Sequence, residues 1–288
     1  MTTLGAIFVP QLPPERLHAV ATTADALGLE ELWLWEDCFR EGGVSSAAAA
    51  LAWTERLHVG IGLLPVPLRN VALTAMEVAG LARMFPGRIT VGVGHGVQDW
   101  MAQVGGQVES PMTLLHEYVT ALTALLRGER LTVSGRYVQL DDVCLDWVPP
   151  APPPIVVGAV GPRTLHLAGE HADGTIITAG TSVEQVVEKV ADIDAGRAAG
   201  GRSYHRVVVF VHAATGADAA ARLETERSVW GYDSMDAFTI TGDAAAFADG
   251  VARYADAGVD AVILQPTPDD DLAGFIRFVT DEVRPLVP

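Results

Sequence analysis

Short apolar runs alternate along this chain with longer segments whose apolar residues recur at helical spacing. Eight runs have the length and the β-branched content of strands. Most of them are apolar throughout rather than alternating, which is typical of parallel strands covered on both faces. The predicted strands are Leu4–Val9, Glu31–Trp35, Leu57–Leu64, Ile89–Val93, Ile155–Gly158, Thr175–Thr178, Val207–His212 and Ala261–Gln265.

Helical patterns separate these runs, and several of them carry signals at their ends. The segment Pro13–Gly28 has prolines at its start and a glycine at its end, as helices often do. Ser182 in Thr181–Gly200 is a candidate N-cap, and the last helical pattern, 269–283, begins with three aspartates that suit a helix N-terminus. Two more predicted helices are Arg69–Gly87 and Asp243–Gly258.

Eight strands that alternate with helices most simply close into a (β/α)8 TIM barrel, an α/β fold. An open, doubly wound sheet remains the alternative, because periodicity alone does not exclude it. Two segments interrupt the alternation. Residues 110–154, between strands four and five, combine a long helix, a small hairpin and a proline-rich connector, and Trp230–Asp243 is an irregular aromatic segment after strand seven. We expect one domain over residues 1–288 that carries these insertions.

Composition narrows the possible partners. The chain has 288 residues, 49% of them hydrophobic, and a formal net charge of −17. A surface with this much negative charge repels nucleic acid and anionic membranes. The two cysteines, Cys38 and Cys144, lack CxxC spacing, so neither a disulfide framework nor a metal site is expected. With no recognisable signal peptide and no apolar stretch of membrane-spanning length, a cytoplasmic location is expected.

In a parallel barrel the chemistry gathers where the strands end. Strand four ends in Gly92, Gly94 and Gly96. The dinucleotide fingerprint would need a further glycine at Val97, so it is absent. Two interpretations of these glycines remain open: a tight turn with close helix packing, or a wall against which a flat ring can lie.

Two later loops offer free backbone amides. Gly158, Gly161 and Pro162 lead directly into a helix, and Gly180 and Thr181 come before another. Amides at a helix N-terminus bind anions. These neighbouring loops therefore predict a phosphate site.

Few residues qualify as an acid or a base. Glu36 and Asp37 follow strand two, and adjacent positions point in different directions, so one of them is expected to face the barrel mouth. His95 lies between glycines and can serve as an acid or a hydrogen-bond donor. Neither a pair of histidines with zinc-protease spacing nor the GxSxG motif is present, so metal-dependent and serine hydrolysis have little support.

Three separate stretches resemble one family, the luciferase-like oxidoreductases. They are LHAVATTADALGLEELWLWEDCF (Leu17–Phe39), LHVGIGLLPVPLRNVALTAMEVAGLARMFPGRITVGVGHG (Leu57–Gly96) and PPPIVVGAVGPRTLHLAGEHADGTIITAG (Pro152–Gly180). Their order and spacing carry the resemblance. It implies a (β/α)8 barrel with insertions, a homodimer, and FMN or the deazaflavin coenzyme F420 in the barrel mouth.

The resemblance also implies site residues. Similar proteins have a bulge with a non-prolyl cis peptide behind the cofactor ring, which here falls in Gly62-Leu63-Leu64. Gly94 and His95 would flank the ring, and Asp37-Cys38 stands where deazaflavin dehydrogenases commonly have Asp-His. The phosphate grip would be formed by Ala159, Val160, Gly161, Gly180 and Thr181.

One departure concerns the substrate. Val97 replaces a glutamate of the sugar-phosphate branch, so sugar-phosphate dehydrogenation is not expected. The leading hypothesis is an oxidoreductase that moves a hydride between F420 and a small organic substrate, with Asp37 and His95 as catalytic residues. The alternatives are an FMN-dependent monooxygenase, a non-catalytic flavin-binding homologue, and an unrelated barrel lyase or hydrolase that uses His95 and Asp37.

Overall fold

A computed structural model describes residues 2–268 and 271–287. Its main sheet is a closed ring of eight parallel strands in the order β1-β2-β3-β4-β7-β8-β9-β11, closed by the pairing of β11 with β1. The strands are β1 (Thr3–Phe8), β2 (Glu31–Leu34), β3 (His58–Pro65), β4 (Ile89–Gly94), β5 (Leu131–Ser134), β6 (Gln139–Val143), β7 (Ile155–Ala159), β8 (Gly174–Ile177), β9 (Arg206–Ala214), β10 (Thr239–Thr241) and β11 (Ala261–Gln265).

Helices surround this ring. They are α1 (Leu17–Leu27), α2 (Gly43–Trp53), α3 (Val71–Met84), α4 (Gln98–Gln103), α5 (Pro111–Leu126), α6 (Pro162–His171), α7 (Val183–Ala199), α8 (Ala219–Trp230), α9 (Ala244–Asp256) and α10 (Leu272–Phe278). Within the described part of the chain, no helix combines the length and the apolar character that crossing a membrane requires.

The predicted barrel is confirmed, and the open-sheet alternative is wrong, because all eight predicted strands lie in one closed ring. The insertion between the fourth and fifth barrel strands contains α4, α5 and the antiparallel hairpin β5-β6. Two of the aspartates that begin the last predicted helix, residues 269 and 270, lie outside the described residues.

The elements missing from the prediction include α2, α4, α8 and β10. Gly42-Gly43 at the start of helix α2 and Ser45-Ser46 within it resemble a loop, although the helix packs against β3 and buries Ala47 and Ala50. The segment Trp230–Asp243 is not wholly irregular, because it includes β10, which pairs in parallel with the end of β9. Tertiary contacts overrode the weak local signals in both places.

The ring divides the apolar core into an inner and an outer layer. Alternate strand residues point inward, and the inner layer is held by a set of large side chains. Trp33 occupies the space that a side chain at Gly60 would need, since a Cβ there would lie 2.2 Å from its ring. At the amino-terminal end, Glu31 accepts hydrogen bonds from the Trp33 indole and from Arg206. The inner residues are Ile7, Val9, Trp33, Trp35, Val156, Ile176, Val208, Phe210, Ala261 and Ile263.

Two adjacent outer helices approach each other unusually closely. A Cβ at Gly196 of α7 would lie 2.0 Å from the His166 carbonyl oxygen of α6, and one at Gly169 would lie 2.1 Å from the Ile193 carbonyl oxygen. Each helix therefore presents a glycine to the backbone of the other. The contact lies in the C-terminal halves of α6 and α7. Their N-cap residues are Gly161 and Ser182, and Ser182 forms a complete capping box.

We expect Gly196→Ala to destabilise the protein by about 2–3 kcal/mol, because the new methyl group would meet backbone that cannot move aside easily. Gly80→Ala in α3 is the matched control, since nothing lies within 4 Å of its Cβ position. The control should gain about 0.5–1 kcal/mol through helix propensity. Urea unfolding of both variants measures the difference, and equal free energies of unfolding would contradict the packing described above.

Candidate functional site

A cavity of about 460 Å³ opens at the carboxyl end of the barrel, where the chemistry of such folds gathers. Its volume lies in the range of small-molecule sites. Residues from the ends of seven barrel strands and from the loops that follow them line it. They are Trp35, Glu36, Asp37, Gly62, Leu63, Pro65, His95, Gly96, Val97, Trp100, Gly158, Val160, Gly161, Thr164, Thr178, Ala179, Phe210, His212, Trp230, Tyr232 and Gln265.

Leu63 forms part of the cavity wall, and the glycines of two neighbouring strands make room for its side chain. The pairing of β3 with β4 shifts register between Ile61 and Leu64, and the Gly62–Leu63 peptide bond is cis. A Cβ at Gly158 would lie 2.2 Å from the Leu63 Cδ2, and one at Gly94 would lie 2.6 Å from it. Gly94 of β4 and Gly158 of β7 therefore serve close packing of a leucine.

The two neighbouring acids after β2 have different environments. Glu36 receives two hydrogen bonds from Arg69, at 2.9 and 3.0 Å, and one from the Gly43 amide at 2.8 Å. Asp37 lines the cavity, and burial raises its pKa to about 6, with a smaller opposing effect from Arg40. Glu36 is thus held by its partners, whereas Asp37 can exchange a proton near neutral pH.

His95 also lies at the cavity wall, in the loop after β4. Its Nε2 lies 3.3 Å from the Thr164 hydroxyl, and the Gln98 side chain donates to the His95 carbonyl at 3.3 Å. Burial lowers the pKa of the imidazole. The ring is therefore neutral at neutral pH and suits hydrogen bonding better than it suits charge stabilisation.

Aromatic side chains cover the other side of the mouth, and most of them come from the segment after β9. Trp230 is the last residue of α8 and Tyr232 follows it, and Trp100 lies on α4. Gly180 lies against Tyr232, because a Cβ there would be 2.5 Å from the phenol oxygen. The sequence marked the segment from Trp230 as aromatic and irregular, but it did not place these rings at the site.

Sequence reasoning also missed three polar side chains of the inner wall, Trp35, His212 and Gln265. Each continues an inward-pointing series of its strand, and each has a buried polar atom without a hydrogen-bond partner. The alternation of inner and outer residues could have identified them. His212, for example, comes two residues after Phe210 of the inner core, so both point inward.

The two glycine-containing loops border a second depression beside the cavity. Val160, Gly180 and Thr181 line it together with Lys189, the one lysine in the sequence. The Lys189 ammonium donates to the Val160 carbonyl oxygen at 2.5 Å. The predicted phosphate-binding loops are therefore adjacent, and a cation lies next to them.

The structure brings half of the predicted site residues to the cavity and leaves the others away from its wall. Leu64 and Ala159 are buried, and Leu64 packs towards Gly43 instead. Gly94 lies beneath Leu63, and Cys38 is half-buried, with its thiol pKa raised chiefly by burial. Those that line it are Asp37, Gly62, Leu63, His95, Val160 and Gly161, while Gly180 and Thr181 line only the neighbouring depression.

The described residues offer no candidate metal site. Within residues 2–268 and 271–287, no three or more histidine, cysteine or acidic side chains are grouped closely enough to hold an ion.

Comparison with known proteins identifies relatives with redox activity. The profile of the luciferase-like monooxygenase family matches residues 2–233. A 5,10-methylenetetrahydromethanopterin reductase of Methanolobus tindarius is 31% identical over 212 residues, which are 73% of this chain and 64% of that protein, so the match covers less than two thirds of the reductase. An F420-dependent glucose-6-phosphate dehydrogenase of Microbacterium testaceum is 27% identical, over 96% of this chain and 94% of that protein.

Solved structures share the whole fold. An F420-dependent secondary alcohol dehydrogenase, in complex with an F420-acetone adduct, superposes with a TM-score of 0.90 at 20% identity, over 100% of this chain and 99% of that one. The FMN-bound oxygenating constituent of 3,6-diketocamphane monooxygenase from Pseudomonas putida superposes with a TM-score of 0.81 at 16% identity, over 100% and 99% of the two chains. At these identities the likeness shows a common fold.

We expect Gly158→Ala to push the Leu63 side chain into the cavity, because the new methyl group would occupy its place. The end of a leucine can move, so the free energy of unfolding should fall by only about 1 kcal/mol. Gly92→Ala should cost more, since its Cβ would lie 2.5 Å from the Ile61 carbonyl oxygen. In a protein that already carries Leu63→Ala, adding Gly158→Ala should leave the free energy of unfolding almost unchanged. An unchanged cost in that background, measured by urea unfolding, would show that Leu63 does not set the requirement for glycine.

Asp37→Asn should stabilise the protein at pH 7.5 by about 1–2 kcal/mol, a value reduced for the partial exposure of this side chain. The raised pKa means that the folded state holds the Asp37 proton more tightly than the unfolded state does. The wild type therefore loses stability as pH rises from about 4 to about 6, and the asparagine variant does not. Urea unfolding at pH 4.0 and 7.5 should show a difference in the free energy of unfolding between wild type and Asp37→Asn only at the higher pH.

The exposed replacement Asp249→Asn is the control for that comparison. It should leave the free energy of unfolding nearly unchanged at both pH values. A gap between wild type and Asp37→Asn that is equal at pH 4.0 and 7.5 would contradict the assignment.

Proposed function

Since the chain belongs to the luciferase-like monooxygenase family, we propose that it is an oxidoreductase that binds coenzyme F420 in the barrel mouth. It moves a hydride between this deazaflavin and a small organic substrate. The curated relatives of 31% and 27% identity that bear on this choice are a reductase and a dehydrogenase, and the latter is F420-dependent by name. Assembly as a homodimer and a cytoplasmic location remain predictions.

The observation that carries the proposal is the cradle around Leu63. Its side chain fills the space left by Gly94 and Gly158, so the wall between β3 and β7 carries no other bulky group. A flat tricyclic ring fits against such a wall. Leu63 and Val160 would then contact the ring, and the amides near Gly161 and Gly180 would hold the anionic tail.

The charge of the depression favours the deazaflavin over FMN. The terminal phosphate of FMN carries close to two negative charges at pH 7, whereas the phosphodiester of F420 carries one. Lys189 is the basic side chain among the described residues that line the depression, and Glu188 and Asp192 line it as well. Backbone amides and one lysine beside two acids suit a single negative charge better than a double one.

When bound, the deazaflavin supplies two-electron hydride chemistry, and the protein orients the reactants and handles the proton. Asp37 is the acid of the cavity whose pKa lies near neutral pH, so it can accept the proton that an alcohol loses or return it to a forming alkoxide. His95 stays neutral. Its Nε2 lies against the Thr164 hydroxyl, so the buried Nδ1, which has no partner in the structure, is the ring atom left to hold a polar group. The aromatic side chains from α4 and from the segment after α8 shield the reacting atoms from water.

The second candidate function is that of an FMN-dependent monooxygenase, which the fold of the diketocamphane enzyme supports. Titration of the protein with purified F420 and with FMN, followed by cofactor fluorescence and by calorimetry, distinguishes the two. We expect F420 to bind with a micromolar or lower Kd and FMN to bind at least about tenfold more weakly, which corresponds to about 1.4 kcal/mol. Tighter binding of FMN would support the monooxygenase, and binding of neither cofactor would refute both.

A matched pair of variants tests the location of this binding. Gly158→Ala should weaken F420 binding by about tenfold or more, because Leu63 would enter the space for the ring. Gly80→Ala lies on α3 with open space around its Cβ position and should leave the Kd unchanged. Equal affinities of the two variants would place the cofactor elsewhere.

A further inference from the structure

Three buried side chains of the inner wall have polar atoms with no partner in the structure. They are the Nε1 of Trp35, the Nε2 of His212 and the Oε1 of Gln265. The residues are 9%, 2% and 3% exposed, and all three line the cavity. Because buried polar groups are nearly always hydrogen-bonded, three such atoms on one wall point to a ligand that completes them.

Strand geometry places these residues in one layer. Gln265 and His212 are register partners on the neighbouring strands β11 and β9, so their side chains leave the same face of the sheet side by side. Trp35 comes two residues after Trp33 of the inner core, and therefore also points inward. Trp35 stacks on Phe210, with ring centroids 6.0 Å apart, and Phe210 belongs to the same strand as His212.

This layer lies on the half of the ring opposite the proposed cofactor residues. Leu63, Gly158 and the two glycine-containing loops belong to β3, β4, β7 and β8, whereas the three unpartnered atoms belong to β9, β11 and the end of β2. One half of the mouth is thus shaped for a flat ring. The other half offers hydrogen-bonding groups across the cavity from it.

The charge around this layer excludes an anionic ligand group. His212 is enclosed by Trp230, Tyr232 and Phe238, with ring centroids 5.8 to 6.3 Å away. Burial lowers its pKa to about 4, so it is neutral at pH 7. Among the described residues that line the cavity, none is a lysine or an arginine, and Asp37 is an acid. A carboxylate or phosphate group there would be buried without a partner charge.

We propose that Trp35, His212 and Gln265 form a substrate subsite for the oxygen of an uncharged organic molecule, a ketone or an alcohol with an apolar body. This subsite adds a substrate class to the proposed function, and the reaction carried out on that substrate rests on the proposed function. The indole N–H donates to the oxygen, and the amide oxygen of Gln265 accepts from a hydroxyl. The imidazole of His212 donates or accepts according to its tautomer. Phe210 and Trp230 surround the apolar body.

Pairs of ketones with and without a carboxylate group test the proposal. The pairs are cyclohexanone with 4-oxocyclohexanecarboxylate, and acetophenone with 4-acetylbenzoate, and the methyl esters of both acids serve as uncharged controls. Calorimetry with the F420-loaded protein and with the protein alone measures binding without reference to turnover. We expect a neutral ketone and its ester to bind at least about 100-fold more tightly than the acid. Comparable binding of an acid, or binding of no neutral ketone, would overturn the proposal.

Variants then locate the bound oxygen. His212→Leu should weaken binding of the neutral ketone or of the matching alcohol by about tenfold, and Gln265→Leu should weaken the alcohol more than the ketone. His212→Gln restores a hydrogen-bonding group and should recover most of the affinity. His205→Gln is the control, because His205 is also buried with a lowered pKa but bonds to Thr175, away from the cavity. Equal affinities of wild type and His212→Leu would overturn the assignment.

The two proposals fail in different ways. If F420 binds and the charged ligands bind as well as the neutral ones, this subsite is wrong and the proposed function stands. If F420 does not bind, the proposed function fails, while preferential binding of a neutral ketone to the protein alone, lost in His212→Leu, still supports the subsite. The His212 and Gln265 variants should keep the F420 affinity of the wild type, because their side chains lie on the other half of the mouth. His205→Gln should keep it because His205 lies away from the cavity.

Discussion

The packing of Leu63 against two glycines is the constraint on which the mouth of this barrel depends. The bulge in β3 turns this leucine into the ring, and space for its side chain exists because Gly94 and Gly158 have no Cβ atoms. A larger residue at either position would push the leucine into the cavity. Gly94 of β4, Gly158 of β7 and the bulge of β3 are therefore parts of one arrangement, although they are distant in sequence.

The other half of the mouth follows from strand alternation. The inner layers of Trp33, Phe210 and their neighbours fill the barrel interior, and the next inward position on three strands carries a polar side chain instead of an apolar one. Aromatic residues after α8 cover these groups and remove water from them. A buried polar layer without partners is costly in a folded protein, and such costs are typical of functional sites.

Electrostatics gives the cavity a consistent character. Asp37 has a raised pKa, and His95 and His212 have lowered ones, because burial disfavours the charged form of each. The basic side chain beside it, Lys189, lies at the predicted phosphate-binding loops rather than at the inner wall. The positive charge next to the cavity is therefore at the edge of the mouth and not at its centre.

The sequence by itself determined the closed barrel, because eight continuous apolar runs with helices between them leave few other ways to bury both faces of the strands. It also located the insertion after strand four and the loops near Gly161 and Gly180, since glycines and caps act through local backbone conformation. The bulge at Gly62-Leu63 was implied by the resemblance to a known family and not by a local signal.

Tertiary structure alone decided which side chains meet. Gly94 lies behind Leu63, and Leu64 and Ala159 face away from the cavity, since one residue of register moves a side chain to the other face. Glu36 and Asp37 could be told apart only once Arg69 was seen to bind the former. The meeting of Trp35, His212 and Gln265 depends on closure of the ring, which brings β2, β9 and β11 to one wall, and no local pattern contains that information.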